Sequence, residues 1–179
     1  SGLFIDEKYF SIEATEMHHG IPCLAYSITL KDKRRLDKSK INKLKIPNTP
    51  LLKELQKGKD VTINGKKIRA KDISYVERGK KVAIILDTAN NPNAQIIAKN
   101  ADLLIAEATF SSDEKEIAKE YKHLTSADAA NIAKKSKVKK LILTHISQRY
   151  EANLSQIEKE AKKIFKRTSI AKDFDSLEI

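Results

Sequence analysis

Three short apolar runs, each closing on a titratable side chain, constrain this fold more than any other feature. Lys139-Lys140-Leu141-Ile142-Leu143-Thr144 ends at His145, Lys81-Val82-Ala83-Ile84-Ile85-Leu86 ends at Asp87, and Leu103-Leu104-Ile105-Ala106 ends at Glu107. None alternates polar with apolar, which predicts strands covered on both faces and hence a sheet flanked by helices. In such sheets function collects beyond the carboxyl ends of the strands. A carboxylate emerging from a hydrophobic strand is costly unless it is paired, protonated or bound to a metal. Taken singly, each residue reads as a cap or a salt-bridge partner, but the repeated design points to a site.

Helical patterns separate these runs. Pro92 opens a helix through Ala98, Glu114 to Tyr121 is helical, and Ala127 to Lys135 follows an N-cap at Thr125 or Ser126. His123 therefore stands in a loop at a helix N-terminus, where the dipole favours a neutral imidazole. Gln156 to Phe165 is amphipathic, and Thr168 to Ala171 can add a last strand. Near the start, Leu3-Phe4-Ile5 and Tyr9 to Ala14 read as strands about a turn at Asp6-Glu7. A further strand over Cys23 to Leu30 places His19 in a strand-to-strand corner. Asn64-Gly65 between Val61-Thr62-Ile63 and Lys66-Lys67-Ile68 is a strong hairpin signal.

A chain of 179 residues with 40% hydrophobic content fits one domain with a real core, spanning 1–179. No run of about 18 apolar residues occurs and no signal-peptide pattern opens the chain, so the expectation is a cytoplasmic protein with no membrane partner. Cys23 is the one cysteine. It has no disulfide partner and no spaced thiolate companion, so a metal here must use His and carboxylate. The formal charge of +11 is concentrated: residues 31–60 hold eleven Lys and Arg against four acids, hence seven of those net charges. From Lys31 to Lys59 the pattern reads as helical with a thin apolar edge at Leu36, Ile41 and Leu44. Such a basic, weakly buried segment is expected to project and to meet a polyanion, although a solvated Lys-rich face has the same composition.

Three of the four histidines (His19, His123, His145) fall in loops or at strand ends, as does Asp87. Histidine with aspartate at open strand ends suits a metal used for hydrolysis. No local motif such as His-Glu-x-x-His selects one arrangement.

The residues also resemble a family. His19-Gly20-Ile21-Pro22-Cys23-Leu24-Ala25-Tyr26, Leu86-Asp87-Thr88, Ala106-Glu107-Ala108-Thr109-Phe110, His123-Leu124-Thr125 and Thr144-His145-Ile146-Ser147-Gln148-Arg149-Tyr150 look like successive motifs of ribonuclease Z. These are the tRNA 3′-processing endonucleases of the metallo-β-lactamase superfamily, and the resemblance runs along essentially the whole chain. It implies an α/β fold, the C-terminal half of a four-layer αββα metallo-β-lactamase sandwich with a protruding basic arm over 31–60. It implies His19, Asp87 and His145 as zinc ligands, Asp87 bridging two ions in the complete enzyme. His123 would donate a proton to the leaving 3′ oxygen, oriented by Glu107. The implied partner is precursor tRNA, gripped by Lys31, Lys33, Arg34, Arg35, Lys38, Lys40, Lys43 and Lys45 and, near the site, by Ser147, Arg149 and Tyr150.

The family's His-x-His-x-Asp-His cluster is absent from these 179 residues. Ala106 and Leu86 stand where the family usually has His and Gly, and Ile46-Pro47-Asn48-Thr49-Pro50 lacks the arm's usual Gly-Pro pair. The resemblance thus implies a half-site, inactive alone and holding at most one zinc weakly. A missing N-terminal half or a partner chain would complete it, and the complete enzyme would be a homodimer. A non-catalytic RNA-binding module and another hydrolase of the same fold are the alternative readings.

Overall fold

The computed structural model describes residues 2–179, in two compact units: residues 2–30 with Lys80–Ile179, and Lys31–Gly79. In chain order the elements begin with β1 (Gly2–Asp6), β2 (Phe10–Met17) and β3 (Cys23–Leu30). The Lys31–Gly79 unit then contains β4 (Lys33–Leu36), α1 (Lys38–Lys43), α2 (Leu51–Gln56), β5 (Val61–Ile63), β6 (Lys66–Ile68), α3 (Ala70–Ile73) and β7 (Ser74–Glu77). The first unit resumes with β8 (Lys81–Ile85), α4 (Pro92–Ala98), β9 (Leu103–Glu107), α5 (Lys115–Tyr121), α6 (Ser126–Lys135) and β10 (Lys140–Thr144). A 3-10 turn over Gln148–Asn153, α7 (Leu154–Ile164) and β11 (Thr168–Ile170) close it.

The first unit is built on a seven-stranded sheet in the order β1-β2-β3-β8-β9-β10-β11. β1, β2, β3 and β8 pair antiparallel, and β8 to β11 pair parallel. Because β2 is antiparallel to β3 and β3 to β8, β2 runs the same way as β8. Its carboxyl end therefore lies at the same edge of the sheet as those of β8, β9 and β10. The helices pack on one face: α4 against β2, β3 and β8, and α6 against β9 and β10. Their small residues Ala94, Ala98, Ala129, Ala130 and Ala133 let them approach closely over Ala25, Ile85, Leu104, Leu141 and Leu143. Of the two caps the sequence allowed, Thr125 is the one used, closing a capping box with Asp128 at the start of α6.

The other face of the sheet is apolar and open. On β3 the side chains of Leu24, Tyr26, Ile28 and Leu30 are 48%, 39%, 37% and 53% exposed, alternating with the buried Ala25 and Ser27. The register puts Ile28 beside Ile12 and Val82, and Tyr26 beside Ile84, and these neighbours are only half-buried. Ile142 is half-buried too, between buried Leu141 and Leu143. The continuous apolar runs were expected to mean cover on both faces; among the described residues of this unit, helices pack on one.

The Lys31–Gly79 unit has its own small core of Ile46, Leu55, Ile63, Ala70 and Ile73, with Leu36, Ile41 and Leu52 against it. Lys33–Leu36 is a strand paired with Ser74–Glu77, where the sequence reading expected a helical segment. Its partner lies some forty residues away, so no local pattern records the pairing; Arg35 Nε donates to Glu77 across it at 2.7 Å. The hairpin turn forms as expected, with Asn64 and Gly65 both at positive φ (49° and 73°).

Candidate metal centre

The common edge of the sheet collects the titratable residues. His19 follows β2, Asp87 lies two residues past β8, Glu107 is the last residue of β9 and His145 is the first past β10. His123 reaches the same place from the loop before α6, which an isolated bridge between Phe110 and Thr125 holds against the extension of β9. The three imidazoles form a row with His123 in the middle, ring centroids 4.9 Å from His19 and 5.4 Å from His145.

Ligand atoms of Asp87, His123 and His145 lie within 4.8 Å of one another. Asp87 Oδ1 is buried and accepts no hydrogen bond; the nearest cationic candidate, His145 Nδ1, is 3.4 Å away. A buried carboxylate oxygen without a donor is costly. A divalent cation bound by a carboxylate and imidazoles would satisfy it, so this donor set fits a metal ion. His19 stands outside that group of three. Its Nδ1 donates to the carbonyl of Lys122 at 3.0 Å, which leaves Nε2 as the lone-pair nitrogen.

Glu107 is fully buried, and donors surround it. Oε1 accepts from the Thr88 N–H at 2.7 Å and from His123 Nδ1 at 3.0 Å. Oε2 accepts from the Thr109 hydroxyl at 2.6 Å and, more weakly, from the Thr109 N–H at 3.4 Å. The His123 and Glu107 side chains, which the resemblance paired, are in contact. The contact directs Nε2 of His123 away from the carboxylate, as either a metal ligand or a proton carrier.

Thr88 and Thr109 are the residues that sequence reasoning passed over, since both lay inside quoted motifs without a role. The available signal was periodicity: Thr109 lies two residues past Glu107 along an extended chain, and hence on the same face.

Of the expected RNA contacts, several side chains already have partners in the fold. Arg149 pairs with Glu114 at 2.9 Å and lies over the Phe110 ring, and the Tyr150 hydroxyl accepts the Ser111 N–H at 3.0 Å. Ser147 donates its N–H to the Thr109 carbonyl. In the other unit, Arg34 donates to Ser74, Arg35 to Glu77, and Lys40 lies 3.9 Å from Asp37. Lys31, Lys33, Lys38, Lys43 and Lys45 are exposed.

Glu160 of α7 braces the loop that follows Thr109, accepting from the Ser112 N–H at 2.9 Å and the Ser126 hydroxyl at 2.6 Å. Burial raises its carboxyl pKa, but the hydrogen bonds from Ser112, Ser126 and Gln156 outweigh that and hold it below the ordinary 4.5. A depressed carboxylate contributes stability that is full above the unfolded value and lost as pH falls through the folded one. Glu160→Gln is therefore expected to cost about 1.5 kcal/mol in urea unfolding at neutral pH, with the gap closing below pH 4.5. A gap that does not change with pH would sink this account.

No protein-family model matches the chain. It is 40% identical over 182 residues to the ribonuclease Z of Ligilactobacillus salivarius, covering 99% of this chain and 57% of that protein. It is 40% identical over 173 residues to the ribonuclease Z of Protochlamydia amoebophila, covering 97% of this chain and 56% of that one. The chain thus spans a little over half the length of these curated relatives. Among solved structures, it matches a metallo-β-lactamase-fold protein of Bacillus subtilis with a TM-score of 0.60 at 21% identity, over 94% of this chain and 49% of that one. It matches the short form of human tRNase Z with a TM-score of 0.57 at 24% identity, over 99% and 47%. The fold is about half of a metallo-β-lactamase fold.

Proposed function

This chain is a homologue, along nearly its whole length, of a little over half of ribonuclease Z, and from that premise we propose that it carries the C-terminal half of a zinc-dependent endoribonuclease site that removes the 3′ trailer from precursor tRNA. The observation that carries this reading is the meeting of Asp87, His123 and His145 around a carboxylate oxygen that has no donor.

Asp87, His145 and His19 hold zinc in this reading, and His123 is the acid. Zinc, when bound, supplies Lewis acidity toward a phosphodiester. His123, its Nδ1–H donating to Glu107, presents Nε2–H to the leaving 3′ oxygen and gives up that proton there. Glu107 keeps the ring in one orientation through that step and stabilises the imidazolium that precedes it. The exposed lysines of residues 31–60 supply phosphate contacts, which make binding strongly salt-dependent.

Three supports favour a half-site: the missing His-x-His-x-Asp-His cluster, the length of the relatives that this chain does not span, and the apolar face left open on β3. Exposed apolar patches of that kind mark an interface. The remainder of the fold, in the same polypeptide or in a partner chain, covers this face and completes the ligands, and the complete enzyme is a cytoplasmic homodimer.

Cleavage of end-labelled precursor tRNA tests the reading. The 179-residue chain with zinc should give no product. Mixed with the part of the Ligilactobacillus salivarius enzyme that it does not span, it should cut just after the discriminator base. Cleavage there by the chain alone would overturn the half-site, and assembly without cleavage would leave an RNA-binding module.

A further inference from the structure

We propose that Thr109 is a positioning residue that sets the tautomer of His145 and ties it to Glu107; this rests on the reading of His145 as a metal ligand. The Thr109 hydroxyl has one proton and four neighbours: Glu107 Oε2 at 2.6 Å, His145 Nδ1 at 2.9 Å, the His145 carbonyl at 3.0 Å and, farther, His123 Nδ1 at 3.4 Å. A hydroxyl to a carboxylate is the strong, charge-assisted partnership, with lengths of about 2.5–2.7 Å, so the proton goes to Glu107. Its oxygen then presents only lone pairs to His145. Nδ1 of His145 faces two oxygens, Thr109 Oγ1 at 2.9 Å and Asp87 Oδ1 at 3.4 Å, where a ring lone pair would meet only lone pairs, so Nδ1 carries the proton and donates to Thr109. A neutral imidazole has one N–H, so the lone pair of His145 sits on Nε2.

Backbone conformation supports the arrangement. His145 takes the left-handed region at φ 52°, uncommon for a residue with a Cβ. In that conformation both its ring nitrogen and its carbonyl lie at the same hydroxyl. The competing acceptor for the Nδ1 proton, Asp87 Oδ1, is farther at 3.4 Å and counts no hydrogen bond. Asp87 thus stays open toward a cation, while Thr109 takes the proton that would otherwise block it. Through Glu107 the same hydroxyl meets His123 Nδ1 on the other carboxylate oxygen. One buried Glu–Thr pair therefore orients two imidazoles at once, which local sequence cannot reveal.

The test reads the tautomer directly. Long-range proton–nitrogen correlation spectra of the metal-free 179-residue chain, taken above the imidazole pKa range of about 6.5, should show His145 protonated on Nδ1. Thr109→Val keeps the shape and removes the hydroxyl; it should move His145 toward the Nε2-protonated form and weaken zinc binding in calorimetric titration by ~10–100-fold. Thr109→Ser should restore both. An Nε2-protonated His145 in the unsubstituted chain overturns the proposal whether or not the valine variant folds. So does a valine variant with unchanged tautomer or unchanged affinity. Neither readout uses RNA or cleavage, so failure of the ribonuclease reading and failure of this one are separable.

Discussion

Asp87→Ala is expected to remove zinc from the 179-residue chain and, in the reassembled enzyme, to abolish trailer cleavage. The expectation comes from geometry: Asp87 is the only carboxylate in the group of three with an unsatisfied buried oxygen, whereas the Glu107 carboxylate is filled with donors. Loss of residues that merely orient ligands costs ~10–100-fold in metal affinity, and loss of a ligand should exceed that. The fold should tolerate the change, since Asp87 makes no hydrogen bond through Oδ1 and its side chain is 39% exposed. Elemental analysis after dialysis and a melting curve decide the matter together. Zinc content equal to the parent would sink the ligand assignment. An unchanged melting temperature of the metal-free chain, with zinc lost, would establish that the residue serves the metal and not the core.

The second large effect concerns His123, which the structure places within ligand distance of Asp87 and His145 as well as on Glu107. Two roles compete for the same ring. If it is the acid, His123→Ala leaves zinc in place and lowers cleavage by the ~10²–10⁴-fold typical of a lost general acid. If it is a ligand, zinc departs with it. The acid role is expected, because His123 Nδ1 donates to Glu107, which fixes the ring and turns Nε2 away from the carboxylate. Some destabilisation should accompany the change, since Glu107 Oε1 would keep only the Thr88 N–H; about 1–3 kcal/mol is the usual cost of a disturbed buried acceptor. Zinc stoichiometry measured beside the cleavage rate separates the two roles. Parental zinc with parental cleavage would refute both.

The strand ends were legible for a simple reason. A buried parallel strand needs an unbroken apolar run, and the first polar residue after it has to emerge at the sheet's edge, so Asp87, Glu107 and His145 could be placed from their local sequence. Asn64-Gly65 and a cap at Thr125 or Ser126 were legible likewise, because turn and cap chemistry is local. Lys33–Leu36 was misread as helical because its strand character depends on Ser74–Glu77. The open face was also hidden, since an apolar residue such as Ile28 looks the same whether its cover is present or absent.

By itself, then, the sequence determined the order of strands and helices outside residues 31–79, the titratable residues Asp87, Glu107 and His145 at the strand ends, and the charge carried by residues 31–60. Only the tertiary structure decided that His123 stands between His19 and His145, that Glu107 is wired to Thr88, Thr109 and His123, and that Asp87 keeps a bare oxygen. These are contacts between chain segments up to about a hundred residues apart, as with His19 and Lys122. They exist because β2, β8, β9 and β10 run the same way and end at one edge, a property of strand pairing that no local stretch encodes.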